Sequence, residues 1–313
     1  MNAQEPYPTS AWLWPFVVAS VSWGSSFLFI AVALNSFSPE HVGFGRVFVG
    51  AGVLAVMILV RRERLRFTWR QVGAIALIGL CLSGAPMVLI PLAQEHITSI
   101  LASLLNATTP LWTALCVALF IPHERATRAQ WAGLLIGALG IAVLVGAWDV
   151  SAVPLAGTLF MLAATALYGV GSTLSRVLLT TIRQPNVSIA FVQIGLSAVM
   201  LLPVALIAPS PQAGAFDLGA APAWALLALG VFGSSFAYVA FWRVVQVAGA
   251  TAGASVTYAV PVVATILGVA VLGEHLRWYE PVGAAVVLTG VWLAQRKPRA
   301  KKVGAPPEGG ATA

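Results

Sequence analysis

The chain has 313 residues, of which 59% are hydrophobic and 9% are charged, and its mean hydropathy is +0.90. These values exclude an ordinary soluble globular domain and indicate an integral membrane protein. The formal net charge of +7 arises largely from Arg and Lys in short connections and a basic tail, a distribution typical of membrane topology rather than of nucleic-acid binding.

Apolar segments of about the length that crosses a bilayer, roughly 20 residues, follow one another along nearly the whole chain. We therefore predict an all-α integral membrane protein with ten transmembrane helices joined by short connections. The predicted spans are residues 12–34, 42–60, 71–91, 97–120, 128–147, 156–179, 187–208, 222–244, 250–272 and 280–295.

The two ends of the chain are predicted to lie outside the membrane. Residues 1–11 lack the basic region and the small-residue cleavage site of a signal peptide, so we interpret them as a short cytoplasmic tail. Residues 296–313 form a basic tail that we expect to be disordered and cytoplasmic.

The Arg residues of the connections predict the orientation, because positively charged loops favour the cytoplasm. With both termini in the cytoplasm, the outer connections retain only Arg277. The cytoplasmic connections and helix ends then hold Arg61, Arg62, Arg64, Arg66, Arg70, Arg125, Arg128, Arg183 and Arg243.

The second half of the sequence repeats the first. Pro110 corresponds to Pro261 at an offset of 151 residues, and Trp23 corresponds to Tyr168 at an offset of 145. The other matches are Gly133 and Gly140 with Gly283 and Gly290, Glu124 with Glu274, and Gly50 with Gly195.

We accordingly predict a first five-helix repeat at residues 12–147, an outer linker at 148–155 and a second five-helix repeat at 156–295. Because each repeat has an odd number of helices, the second enters the membrane inverted. Inverted repeats are typical of secondary transporters, whose substrate binds near the midplane between the two halves.

Polar residues in the first and sixth helices lie at a common depth with two aromatic rings. Trp23 and Ser26 in the first helix, and Tyr168 and Ser172 in the sixth, are candidates to line a central cavity. Tyr238 on the eighth helix extends this aromatic wall. Such rings suit an apolar or aromatic amino-acid side chain or an organic cation, although core packing is an equal alternative for each ring alone.

Arg46 in the second helix is a charge at membrane depth. An uncompensated cation there costs roughly 2.5 to 3.5 kcal/mol on insertion scales. It either binds a substrate carboxylate or extends outward to the interface, and the sequence leaves both interpretations open. Glu95 and His96, at the outer bend before the fourth helix, are candidates for a gate or a proton relay, with a solvated loop pair as the more ordinary alternative.

The fourth helix carries Ser103, Asn106 and Thr109 at helical spacing, so these side chains lie on one stripe. In the ninth helix, Ser255 and Tyr258 are predicted to form the matching stripe. A polar stripe in lipid turns toward the bundle interior or a wet cavity. The alternative is that Ser and Thr bond their own helix or join neighbouring helices.

Pro110 and Pro261 interrupt the hydrogen bonding of these same two helices. Pro110 cannot donate to the carbonyl of Asn106, and Pro261 leaves the carbonyl of Thr257 free in the same way. Free backbone at membrane depth is tolerated where it lines a cavity or is buried in protein. We predict helix kinks at both prolines, with a nearby hydroxyl as the alternative partner of each free carbonyl.

No enzymatic or metal-binding pattern is evident in the sequence. It lacks a Gly-rich phosphate loop, and no His, Cys and Glu residues have metal-ligand spacing, so we expect no cofactor and no catalytic residues. Cys81 and Cys116 lie inside apolar runs and are interpreted as small core residues rather than a disulfide.

The motifs together resemble the EamA family of the drug/metabolite transporter superfamily. The resemblance rests on "WGSSF" in the first helix, on Arg46, and on "ASLLNATTPLWTALCVALFIPHERATRAQWAGLLIGALGIAVL" with its second-half counterpart "AGASVTYAVPVVATILGVAVLGEHLRWYEPVGAAVVLTGVWL". It covers roughly residues 12–295.

The resemblance implies a bacterial inner-membrane carrier that exports amino acids or related small metabolites by alternating access. Its partners would be a small-molecule substrate and the lipid bilayer. Two alternatives stay open at this point: an uptake carrier for a small metabolite or organic cation, and a membrane receptor or scaffold that does not transport.

Overall fold

The computed structural model of the chain describes residues 10–121, 127–149, 153–179, 182, 184–217 and 219–295, with the side chains of residues 10, 11, 242, 245, 246 and 248–255 left out of that description. The predictions made above for Glu124, Arg125 and Arg183, for residues 1–9 and 296–313, and for the side chain of Ser255 lie outside the described residues.

The described residues form helices and connections, with no strand among them. The helices are α1 (Ser10–Ala33), α2 (Pro39–Arg61), α3 (Trp69–Gly79), α4 (Ala85–Gln94), α5 (Ser99–Asn106), α6 (Thr109–Phe120), α7 (Arg128–Leu144), α8 (Leu155–Leu178), α9 (Asn186–Ile207), α10 (Ala221–Ala228), α11 (Ala237–Leu272) and α12 (Tyr279–Ala294). Two π-helical segments, π1 (Leu80–Gly84) and π2 (Leu229–Phe236), join α3 to α4 and α10 to α11.

In the described part of the chain, seven helical stretches are long and apolar enough to cross a membrane. Three shorter apolar helices, Arg128–Leu144, Val256–Leu272 and Tyr279–Ala294, coincide with the predicted fifth, ninth and tenth spans. The prediction of an all-α membrane protein is therefore confirmed, whereas the count of ten spans stays a prediction.

Side-chain caps define the starts of several helices. The hydroxyl of Thr68 accepts from the backbone N–H of Gln71 while the Gln71 side chain accepts from the N–H of Thr68, and Thr127 and Gln130 do the same at α7. These reciprocal bonds satisfy donors that the first turn of a helix leaves free. At the other end of a helix, Gly273 ends α11 in the left-handed conformation with φ +67°, which glycine adopts without steric cost.

Helices α7 and α12 pack against each other through the predicted glycines. A Cβ added at Gly133 would meet the backbone of Gly290 and Ala294, and one added at Gly283 would meet Leu144. The start of α7 therefore lies beside the end of α12, so the two helices run antiparallel. These helices hold equivalent places in the two predicted repeats, and inverted repeats place equivalent helices antiparallel in this way.

The same twofold relation recurs between other helices. A Cβ at Gly24 in α1 would lie 2.5 Å from Cβ of Val263 in α11, and a Cβ at Gly169 in α8 would lie 2.6 Å from Cβ of Trp112 in α6. Gly169 and Trp112 are the repeat equivalents of Gly24 and Val263, at offsets of 145 and 151. Each half thus packs its first helix against the fourth helix of the other half.

One sequence correspondence was wrong. A Cβ at Gly50 would lie 2.8 Å from Ser234 on π2, whereas one at Gly195, its predicted equivalent, would meet nothing within 4 Å. It is Ser197 that packs on the first half, with its hydroxyl 3.2 Å from the Cβ position of Gly79. The second and seventh helices therefore correspond at an offset of 147, and the two glycines matched only by chance of composition.

Helix α11 joins the predicted eighth and ninth spans without a non-helical residue. A straight helix would hold Phe241 and Val260 about 28 Å apart, at 1.5 Å per residue, yet both line the same cavity. The helix is therefore not straight between them. The sequence between these two residues contains no proline that would mark the bend.

The glycine contact of α7 and α12 predicts that Gly290→Ala destabilises the fold. Its Cβ would collide with the backbone of Gly133 and Gly137, which has no rotamer to change, and such overpacking costs about 1–3 kcal/mol. Thermal unfolding of the purified protein in detergent should show a lower melting temperature for this variant.

The matched control is Gly52→Ala, because a Cβ at Gly52 would meet nothing within 4 Å and alanine favours the helix. Equal melting temperatures for the two variants would contradict the close approach of α7 and α12.

Candidate central cavity

A cavity of about 230 Å³ lies between helices of both halves. It is lined by Trp23, Ser26, Phe27, Ile30, Arg46, Leu82, Met87, Ile90, Asn106, Thr109, Tyr168, Ser172, Tyr238, Phe241, Thr257 and Val260. The structure thus brings eight of the predicted site residues together: Trp23, Ser26, Arg46, Asn106, Thr109, Tyr168, Ser172 and Tyr238.

Most of the lining residues form pairs of repeat equivalents. Trp23 pairs with Tyr168 and Phe27 with Ser172 at an offset of 145. At an offset of 151, the pairs are Met87 with Tyr238, Ile90 with Phe241, Asn106 with Thr257, and Thr109 with Val260. The cavity therefore lies on the approximate twofold axis, and its two walls differ in chemistry at nearly every pair.

Arg46 turns inward and does not extend to the membrane surface. Its side chain is buried, with Nε donating to Oγ of Ser234 at 3.1 Å and Nη2 donating to the carbonyl of Gly233 at 3.2 Å. Among the described residues the one ion pair is that of Arg61 with Glu63, so no carboxylate neutralises Arg46. A guanidinium has five N–H donors, and two of them are used by these bonds.

Aromatic rings form one wall of the cavity. The indole of Trp23 lies edge-on to Tyr238 at 5.7 Å and tilted against Phe241 at 5.2 Å between ring centroids. Its Nε1 donates to the carbonyl of Gly233 at 3.2 Å, the same oxygen that accepts from Arg46. The indole and the guanidinium are therefore held in place by one backbone group.

Asn106 lies where the fourth predicted span is interrupted. Helix α5 ends at Asn106 and α6 begins at Thr109, with Pro110 in the first turn of α6, where its missing donor is tolerated. The hydroxyl of Thr109 donates to the carbonyl of Asn106 at 2.8 Å, so a nearby hydroxyl takes the place of the missing N–H. By contrast, Oδ1 of Asn106 is buried and accepts no hydrogen bond.

Pro261 does not interrupt its helix. Helix α11 continues through it to Leu272, so the two equivalent prolines act differently. The fourth span consists of two helices, whereas the described ninth span is continuous.

Two predicted residues do not line this cavity. Ser103 is fully buried, and its hydroxyl donates to the carbonyl of Ile100 at 2.7 Å, which is the alternative of bonding to its own helix. Tyr258 points elsewhere and donates to Oε1 of Gln295 at the end of α12, at 3.3 Å.

The residue that sequence reasoning missed in the ninth span is Thr257. Thr257 precedes the predicted Tyr258 by one residue, which corresponds to a rotation of about 100° around a helix. The repeat offset of 151 contained the signal, because Asn106 corresponds to Thr257 and not to Tyr258. The apolar lining residues that were also missed are Phe27, Ile30, Leu82, Met87, Ile90, Phe241 and Val260. The offsets of 145 and 151 relate all of these except Ile30 and Leu82 to other lining residues.

Glu95 and His96 are exposed on the bend between α4 and α5, away from the cavity. At this end of the bundle the carboxylate of Glu274 contacts α5. It accepts from the backbone N–H of Ser99 at 2.7 Å and of Ile100 at 2.9 Å, at the start of α5.

A second cavity of about 410 Å³ meets the first at Tyr238. It lies near the opposite end of the bundle from Glu274 and is lined by Arg61, Asn186 and Arg243, among others. Arg243 is exposed. One tyrosine ring thus borders both the central cavity and a basic vestibule, which we define by these three residues.

No group of three or more His, Cys, Asp or Glu side chains is placed to hold a metal ion in the described part of the chain. The described lining of the central cavity combines one cation, amide and hydroxyl groups, and aromatic rings. It can bind a small organic molecule but holds no nucleophile paired with a base.

An all-helical membrane protein with a mixed polar and aromatic cavity between two inverted halves has the architecture of a secondary transporter. Comparison with known proteins agrees. The EamA-like transporter family matches residues 10–146 and 155–295, and the chain belongs to this family. It is therefore a multi-pass membrane protein.

Several individual proteins are similar to the chain along most of its length. A probable terminal-alkyne amino-acid exporter of Streptantibioticus cattleyicolor is 29% identical, covering 91% of this chain and 93% of its own. The uncharacterized inner membrane transporter YedA of Escherichia coli is 28% identical, covering 87% of each chain. A crystal structure superimposes with a TM-score of 0.61 at 25% identity, covering 91% of this chain and 98% of its own.

The placement of Thr257 predicts which position of the ninth span matters for transport. Thr257→Val removes a hydroxyl from the cavity wall while keeping the side-chain shape, so it should lower the affinity for a transported substrate by about 5- to 10-fold, the effect of one hydrogen bond. Initial transport rates as a function of substrate concentration will measure this change.

Tyr258→Phe is the neighbouring control, because it removes only the bond to Gln295. A larger effect at position 258 than at 257 would contradict the assignment of the lining.

Proposed function

We propose that this protein exports amino acids or closely related small metabolites from the cytoplasm by alternating access through the central cavity. One observation carries the proposal: a single small cavity is lined by both Arg46 and Asn106. Among the described residues the guanidinium of Arg46 has no carboxylate partner, and Oδ1 of Asn106 accepts no hydrogen bond. A zwitterionic α-amino acid supplies both missing partners.

The proposed binding mode follows from these two groups. The substrate carboxylate accepts from the free N–H groups of Arg46, since guanidinium and carboxylate form strong charge-assisted hydrogen bonds. The substrate ammonium donates to Oδ1 of Asn106, whose burial without a partner is otherwise costly. The apolar side chain of the substrate then packs against the ring wall of Trp23, Tyr238 and Phe241.

The size of the cavity favours a metabolite over a larger compound. Pockets that hold drug-sized ligands span about 300–1,000 Å³, and this one has about 230 Å³. The relative named as an amino-acid exporter supports the same substrate class.

The proposed topology has ten transmembrane helices in two inverted five-helix repeats, at residues 12–147 and 156–295, with both termini in the cytoplasm of a bacterium and the chain in its inner membrane. The seven long spans, the three shorter apolar helices and the antiparallel packing of α7 against α12 support it. In this orientation the basic vestibule opens to the cytoplasm and Glu274 lies at the outer end.

In this orientation the described conformation is closed at the outer end and has its vestibule at the inner end. Hydrogen bonds of Glu274 and Gln94 join helices at the outer end, while the vestibule lies beside the central cavity at the inner end. A substrate from the cytoplasm would reach Arg46 through the vestibule and past Tyr238, which borders both cavities.

The proposal is tested by flux measurements in proteoliposomes loaded with a panel of radiolabelled amino acids, with and without a pH gradient. We expect efflux of amino acids with apolar side chains. Stimulation by the pH gradient would indicate proton exchange, and equal rates would indicate facilitated efflux. Absence of flux for every amino acid in the panel would overturn the substrate assignment.

Arg46→Gln should lower the flux at low substrate concentration by about 30-fold or more, because truncating one partner of a buried charge pair costs about 2–5 kcal/mol. The matched control is Arg128→Gln at the exposed start of α7, which should transport like the wild type. Size-exclusion profiles will check that both variants fold. Comparable fluxes for the two variants would show that Arg46 does not bind the substrate.

A further inference from the structure

We infer that Ser234 and Gly233 of π2 are positioning residues that determine selectivity for a carboxylate by fixing the orientation of Arg46. This inference rests on the proposed function, since it concerns the same cavity. Neither residue was among the predicted site residues, and neither lines the cavity, so both act through the guanidinium.

The two hydrogen bonds to π2 decide which donors of Arg46 remain for a ligand. Nε and one N–H of Nη2 point to Ser234 and Gly233, which leaves Nη1 and the other N–H of Nη2. A carboxylate recognised by two parallel N–H groups needs the guanidinium plane to be held in one orientation. Without the Ser234 hydroxyl, one of the two bonds that fix this plane is lost and only the bond from Nη2 to Gly233 remains.

Position 233 has no room for a side chain. An added Cβ would lie 2.7 Å from Oγ of Ser26 and 3.2 Å from Nη2 of Arg46. Glycine therefore allows the guanidinium to reach the backbone of π2. In the first half the equivalent of Gly233 is Leu82, which lines the cavity with its side chain instead.

The other half of the molecule has the same serine with a neutral partner. Ser83 of π1, the repeat equivalent of Ser234, accepts from Nε2 of Gln193 at 3.0 Å. Gln193 holds the place of Arg46 at the offset of 147 and does not line the cavity. Ser234 therefore holds the guanidinium of Arg46 at the cavity, whereas its equivalent Ser83 holds the amide of Gln193 in the core.

This internal pair supplies a matched control. Ser234→Ala should raise the KM for a transported amino acid by about 5- to 10-fold, while the KM for its methyl ester, which lacks the carboxylate, changes less than twofold. The selectivity for acid over ester therefore falls. Ser83→Ala should leave this acid-to-ester ratio unchanged, and Ser234→Thr, which keeps the hydroxyl, should restore it.

The ratio of the KM values for the amino acid and its methyl ester distinguishes a loss of Arg46 positioning from a structural defect. Misfolding lowers the transport of both compounds together and leaves this ratio unchanged. If Ser234→Ala and Ser83→Ala give the same ratio as the wild type, the inference is wrong while the proposed function stands. If the wild type transports neither compound, the proposed function itself fails.

A separate observation, at the outer end of the bundle, carries a second inference. The geometry points to Glu274 as the residue that keeps the outer end of the cavity closed. It follows Gly273, which ends α11, and its backbone N–H donates to the carbonyl of Gly268 at 3.0 Å. Its carboxylate binds the first backbone N–H groups of α5, where the positive end of the helix dipole favours an anion.

The contacts around Glu274 join four helices. Nε2 of Gln94 in α4 donates to the carbonyl of Phe27 in α1 at 3.0 Å and to Oγ of Ser99 in α5 at 2.9 Å. A Cβ at Gly268 in α11 would lie 2.8 Å from Ile100. Separating α5 from α11 toward the outside therefore requires both oxygens of Glu274 to lose their donors.

Closure of the outer end by Glu274 is tested by thiol labelling. This measurement needs no substrate, so its outcome does not depend on the proposed function. A single reporter, Ser26→Cys, is placed in the cavity of a chain carrying Cys81→Ser and Cys116→Ser. A membrane-impermeant maleimide is then applied from the outside to intact cells. Glu274→Gln should raise the labelling rate by about tenfold, because an amide offers only one oxygen to two N–H donors.

Glu95→Gln is the matched control, since this neighbouring carboxylate is exposed and makes none of these bonds; it should label at the wild-type rate. Equal rates for the two variants would overturn the role of Glu274. A higher rate for Glu95→Gln than for Glu274→Gln would instead place the gate at the bend that the sequence indicated.

Discussion

A guanidinium buried among membrane helices must find partners inside the protein, because lipid offers none. Arg46 meets this constraint through the side chain and backbone of π2, and much of the central architecture depends on that contact. It ties α2 of the first half to the second half at the level of the cavity. The same carbonyl of Gly233 fixes Trp23, so one π-helical segment orients both the charge and the ring that a ligand would meet.

The approximate twofold symmetry explains how a chain with little polar character builds a polar cavity. A residue that faces the twofold axis in one half has an equivalent that faces the axis in the other half. The same helix packing therefore places two sets of side chains at the level of the central cavity. Divergence within the pairs then supplies the chemistry. Asn106 is the repeat equivalent of Thr257, Ile90 of Phe241, and Met87 of Tyr238. At these pairs the first half contributes an amide where the second contributes a hydroxyl, and aliphatic side chains where the second contributes rings.

Much of this was accessible from sequence, and the failures have physical reasons. Composition predicted the membrane fold, and the spacing and depth of polar and aromatic residues predicted eight residues of the cavity lining. The repeat offsets identified the glycines at which α7 and α12 pack, but not the contact itself. Helical spacing alone could not choose between Thr257 and Tyr258, because a polar residue at either position fits a stripe. The π segments carry no proline and no composition that distinguishes them from α-helix, so Ser234 passed as an ordinary helix residue. Glu274 was identified only as the repeat equivalent of Glu124, since its partners lie about 175 residues away in sequence.

The break between Asn106 and Thr109 divides the fourth span into two rods with different attachments. Helix α5 is bound at its start to Glu274, whereas α6 is held against α8, where Gly169 lies beside Trp112. Asn106 is the last residue of α5, a segment of eight residues whose first backbone N–H groups donate to Glu274. A substrate bound to the amide of Asn106 would therefore contact the same short helix that Glu274 holds at its other end.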